Sequence, residues 1–199
     1  MITHTLRLRR RPAVRVLAFT FVVWLLPVDL TLAAGQGAGF TVQHAGTVLK
    51  DEVYLLNARI HYRLSKTALE ALRNGVPLTL QMDIEVLRKR WLFWDDEVAR
   101  LKQRYRIRYH AFSRQYLVTN LNTGVQQNFP SLRAALDTLG TVADFPMLDR
   151  RLLKVGEKYR ARIQASLDIE ALPLPLRLLA YVSPRWHLSS AWYAWPLQP

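Results

Sequence analysis

Polar and apolar residues alternate along much of this chain, a pattern that predicts strands with one wet and one dry face. Within residues 52–64, Tyr54, Leu56, Ala58, Ile60 and Tyr62 share one side, opposite Asn57, Arg59, His61 and Arg63. From Leu78 onward, Leu80, Met82, Ile84 and Val86 oppose Thr79, Gln81, Asp83 and Glu85. A third segment sets Leu101, Tyr105, Ile107 and Tyr109 against Arg100, Lys102, Arg104, Arg106, Arg108 and His110. A fourth, over residues 157–169, buries Tyr159, Ala161, Ile163, Ala165 and Leu167. Asn122-Thr123-Gly124 predicts a hairpin turn between residues 116–121 and 125–129.

Helical spacing replaces alternation in two places. Ser65 can cap residues 66–74, where Ala68, Leu69 and Leu72 form a stripe and Gly75 ends it. Ser131 can cap a second stripe of Leu132, Ala135, Leu136 and Leu139, closed by Gly140. Both helices are too short to build a core. The fold expected is therefore an antiparallel β-sandwich with two short helices plugging its ends.

The tail has another texture. Prolines at every second position in Leu172-Pro173-Leu174-Pro175-Leu176-Arg177 argue for an extended crossing segment or a sheet edge. Residues 186–197 then carry Trp186, Trp192, Tyr193 and Trp195. They are expected to close the sandwich as its last strand, with indole N–H groups partnered at the rim. An exposed aromatic girdle is the alternative.

At the other end, residues 1–34 have the order of an export signal. Arg7, Arg9, Arg10, Arg11 and Arg15 form a basic head, residues 16–26 an apolar run, and Pro27 breaks it before Thr31-Leu32-Ala33-Ala34. A run of eleven residues falls short of the about 20 that a spanning helix needs. Cleavage after Ala33 or Ala34 releases the domain to the periplasm. An uncut signal, lengthened by Val28, Leu30 and Leu32, tethers it to the inner membrane. Residues 35–39 form a lead-in, and residues 40–197 a single domain.

The signal changes how the charge is read. It takes five arginines and Asp29 from totals of 28 cations and 15 anions, leaving the domain at +9. Outside the cytoplasm that excess points to an acidic protein partner, or to anionic lipid or glycan, rather than to nucleic acid. The chain has no cysteine, which excludes disulfides, thiol catalysis and a lipoprotein anchor.

The basic strand is the sharpest candidate site. Its cations from Arg100 to Arg108 repeat about every 7 Å on one face. With Asp95-Asp96 as the turn, Glu85 falls opposite Arg106 and Asp83 opposite Arg108. Arg88, Lys89, Arg90, Arg100, Lys102 and Arg104 are then left near the turn without partners. Together with Trp91, Phe93 and Trp94 they form a candidate tip for an anion or a partner surface. The competing expectation is a solvated strand face that discourages edge pairing. Asp95-Asp96-Glu97 lacks the oxygen spacing of a calcium loop and is assigned to the turn and to charge compensation.

Catalytic and metal motifs are missing from the sequence. His44, His61, His110 and His187 have no metal-ligand spacing, and neither a Gly-x-Ser-x-Gly elbow nor a phosphate loop occurs. His187 lies near Ser189-Ser190, a separation that seldom sets up a nucleophile and its base. No cofactor or metal is called for.

Several segments carry a family resemblance: Asp168 with residues 172–177, residues 186–197, Ala68-Leu69, Asn74-Gly75-Val76-Pro77-Leu78, and Leu132 with Ala135-Leu136. In these the chain resembles the domain of unknown function 4390 family, over residues 40–197. The resemblance implies an exported protein of Gram-negative bacteria, often encoded near a membrane sensor kinase. It brings no catalytic residues. The function expected is a non-catalytic interaction module of the envelope, with support of such a sensor as one role open to it. A lipid-binding envelope protein and a periplasmic hydrolase stand as alternatives.

Overall fold

The structure is a computed structural model that describes residues 39–90 and 94–198. The export signal read in residues 1–34 lies outside the described residues. The chain is mainly β, in two antiparallel sheets. Strands β1 (Gly39–Lys50), β2 (Val53–Arg63) and β7 (Thr141–Asp149) form one, in the order β1-β2-β7. The other comprises β3 (Leu78–Arg88), β4 (Asp96–His110), β5 (Gln115–Asn120), β6 (Gln126–Phe129), β8 (Tyr159–Leu167) and β9 (Tyr193–Leu197). Its order is β6-β5-β4-β3-β8-β9.

One hydrophobic core takes side chains from both sheets. Leu56 and Ile60 of β2 share it with Ile84 of β3, Ile107 of β4 and Ile163 of β8. The predicted dry faces of β2 and β8 are buried at every second residue, as alternation requires. The 122–124 turn joins β5 to β6 as expected.

Helices α1 (Lys66–Arg73) and α2 (Leu132–Leu139) sit where their caps place them. Ser65 Oγ accepts the Ala68 N–H and Ser131 Oγ that of Ala134, each at 3.1 Å. Helix α2 packs against β2 and β7 of one sheet and β5 and β6 of the other, so it closes the gap between them.

Three features depart from the sequence expectation. Strand β1 is interrupted by a bulge between Val42 and His44, and β7 is bent by register shifts against β2. Both therefore lack clean alternation, because an extra residue moves every later side chain to the other face. The alternate prolines also do not forbid a helix. Helix α3 (Leu174–Val182) starts just there, with Pro175 in its first turn. A first-turn N–H has no intrahelical partner, so its absence costs nothing. The described residues thus form three α-helices rather than two, besides short 3-10 turns at Arg150–Leu152, Ile169–Ala171 and Pro184–Trp186.

The aromatic tail closes the larger sheet as its edge strand. Trp186 and Trp195 are buried, and Trp195 Nε1 donates to Thr47 Oγ1 at 3.2 Å, which ties β9 to β1 of the other sheet. Trp192 stays at the rim, with the Arg162 guanidinium 4.3 Å from its ring centre.

Candidate functional site

The cations of β4 occupy the outer face of the six-stranded sheet, since the alternate residues Leu101, Tyr105, Ile107 and Tyr109 turn inward. Their partners are set by the β3–β4 register, which differs from the expectation. Glu85 stands opposite Arg100 and Asp83 opposite Lys102, not opposite Arg106 and Arg108. The last pair of the hairpin is Arg88 with Asp96, so it is not centred on Asp95-Asp96, and the register differs by a slip of six residues. An even slip leaves every side chain on the same face, so the apolar alternation satisfies both registers equally.

This inverts the expected pattern of free and paired charge. Arg88 donates to Asp96 at 2.6 Å, and Arg90 reaches the same carboxylate. The Arg88 hydrogen bond, with help from Arg90, holds the Asp96 carboxyl below the ordinary carboxylate range. Arg100 binds Glu85 at 2.9 Å and Glu97 at 2.6 Å, while Lys102 lies 3.9 Å from Asp83. Asp95 pairs with Arg160 at 2.9 Å. Asp95, Asp96 and Glu97 therefore do compensate charge, Asp95 from the connection and the other two from the start of β4.

The free cations lie further along the strand. Arg104, Arg106 and Arg108 are exposed, and no carboxylate among the described residues comes within salt-bridge distance of their side chains. Only the Arg104 backbone is engaged, its N–H donating to Asn122 Oδ1 at 2.9 Å. Arg106 is flanked by Thr79 and Thr119, and Arg108 by Leu117 across β5. The row spans about 14 Å at strand rise. Sequence reasoning had assigned Arg106 and Arg108 to ion pairs. The signal that finds them is the pairing of Arg88 with Asp96, which sets Asp83 and Glu85 against Lys102 and Arg100.

The candidate tip is only partly assembled. Trp91 and Phe93 lie outside the described residues, and Trp94 is 93% exposed. Lys89 is exposed and separates from the others. It lines a groove of about 480 Å³ with Lys158, Tyr159, Arg160 and Trp195, on the β8–β9 side.

Nucleophile chemistry finds little support in the histidines. His187 is exposed, with Nδ1 3.2 Å from the Ser183 carbonyl. Ser190 is buried and structural: its Oγ accepts the Ala165 N–H at 3.0 Å and donates to the Ala191 carbonyl at 2.8 Å. His61 shares a cleft with Asp137, but that carboxylate faces Arg133, and the Tyr62 hydroxyl beside it is pushed far up by burial. Among the described residues no three His, Asp or Glu side chains are grouped to hold a metal ion.

A family described as "Domain of unknown function (DUF4390)" matches residues 37–196, and the chain belongs to it. No curated protein and no solved structure matches.

Proposed function

We propose that this member of a family of unknown function is a non-catalytic interaction module of the cell envelope, built as a sandwich of its two sheets. The surface assigned to the interaction is the outer face of β4, and the partner is an acidic protein. The observation that carries this reading is the row Arg104, Arg106 and Arg108, left without carboxylates on a sheet whose other cations are mostly paired. Like charges at strand spacing repel one another, so an acidic face that covers them gains complementarity at three positions. The order of charge, apolar run and small residues before residue 35 supports export. An extracytoplasmic part of a membrane sensor is one partner of the required kind.

Crosslinked capture from intact cells tests this. Replacing Arg104, Arg106 and Arg108 together by Glu should reduce capture of an acidic partner by about tenfold or more, at a nearly unchanged melting temperature. Capture that is unaltered by the triple substitution removes this face from consideration.

A further inference from the structure

Helix α3 turns its apolar side outward. Leu174, Leu178 and Val182 recur every four residues at 68%, 68% and 80% exposure, and Leu179 and Tyr181 widen the stripe. Only Ala180 of this helix is fully buried. A helix that serves a domain core does the reverse.

Two observations indicate what covers this face. The first is charge. From residue 171 to residue 199 the chain contains Arg177 and Arg185 and no aspartate or glutamate. The nearby carboxylates are each engaged: Asp168 accepts the Glu170 and Ala171 N–H groups, Glu170 accepts from the Tyr181 hydroxyl, and Glu70 lies in the cleft that holds Lys66 and Arg185. An apolar face rimmed by arginine complements anionic head groups above acyl chains.

The second observation is the path of the chain. Gly39 pairs with Arg63, and two residues after Arg63, Ser65 caps α1. Helix α1 packs against the Pro184–Trp186 turn, which in turn contacts α3. The chain therefore enters the domain at the end that carries α3. The apolar run at residues 16–26 ends thirteen residues before Gly39, a reach of at most about 47 Å. A signal left uncut would therefore tether the domain by the end that carries α3.

We propose that α3 is an interfacial helix that seats the domain on an anionic lipid surface. Leu174, Leu178 and Val182 enter the acyl boundary, and Arg177 and Arg185 meet the head-group phosphates. This surface is separate from the β4 face and stands or falls independently of it.

The absence of cysteine allows a direct test on the full chain. Leu178→Cys carries an environment-sensitive fluorophore, and Val125→Cys, on the exposed β5–β6 turn, carries the same label as a control. With phosphatidylglycerol vesicles the probe at position 178 should shift to the blue and lose iodide quenching several-fold, while the probe at 125 stays accessible. Because the N-terminal run can bind vesicles by itself, the positional difference is the readout. Adding Arg185→Glu should raise the lipid concentration needed for the shift about fivefold or more. An unchanged probe at 178 overturns the proposal, as does an equal response with phosphatidylcholine vesicles. A shift that follows protein concentration without lipid also overturns it and identifies a second copy as the occupant.

Discussion

The Glu85 carboxylate lies 2.9 Å from the guanidinium of Arg100, its direct cross-strand partner. On its other side Arg162 of β8 donates through Nε at 2.7 Å, so one carboxylate joins three adjacent strands. Glu85 is only 3% exposed, whereas both arginines reach solvent. Removing it leaves two guanidinium groups against each other. Glu85→Ala should destabilise the domain by about 1–3 kcal/mol, read as a lower urea midpoint at unchanged slope. A wild-type midpoint would show that solvent replaces the carboxylate without cost.

Gly140 is required by a close approach rather than by its backbone angles. Its carbonyl accepts the Ile60 N–H at 2.7 Å, and a Cβ placed on it would sit 2.1 Å from the Ile60 carbonyl oxygen. That neighbour is backbone of a paired strand and cannot swing away. Gly140→Ala should therefore cost about 2 kcal/mol or more, with thermal unfolding as the measurement.

The β1–β2 turn carries strain that a substitution can relieve. Asp51 and Glu52 adopt φ of 49° and 62° between the paired residues Lys50 and Val53. Two left-handed residues in a two-residue hairpin favour Asn-Gly. Replacing Asp51-Glu52 by Asn-Gly should stabilise the domain by about 1 kcal/mol, unless loss of the Glu52–Arg150 ion pair offsets the gain. Comparing the double variant with Glu52→Gln separates the two effects.

Asp149 sets part of the acid limit. Its carboxylate accepts from the Arg151 side chain and from the Arg151 N–H, which bring its pKa down from 3.8 to about 2. A folded pKa below the unfolded one gives stability that is present above about pH 4 and lost as pH falls towards 2. Asp149→Asn should flatten the melting temperature profile in that window and leave its slope near neutrality alone. An identical acid limb in the variant would assign the loss to other carboxylates.

The short helices depend on their caps. Ser65 is buried, and its Oγ satisfies one N–H that has no other partner. Ser65→Ala should cost about 1 kcal/mol, and more than Ser131→Ala, whose cap is exposed to water. Equal losses at the two sites would make burial irrelevant to the cap.

Legibility followed local regularity. Strands β2, β3, β4 and β8 were readable because apolar and polar residues alternate along each, and α1 and α2 because serine, stripe and glycine fall in order. Strands β1 and β7 were not, since a bulge or bend breaks their period. The site was readable in kind but not in register. The cations of β4 are visible in the sequence, yet a slip of six residues moves the free ones from Arg100, Lys102 and Arg104 to Arg104, Arg106 and Arg108.

The sequence by itself determined the mainly β class, the wet and dry faces of four strands, the capped helices and the basic character of β4. These are properties of neighbours along one chain, fixed by side-chain period and cap chemistry. Tertiary structure alone decided which charges meet and where α3 points its leucines. Both depend on contacts between segments far apart in sequence. An even register slip and an outward helix face satisfy the local pattern as well as their alternatives do, and only the packed neighbours distinguish them.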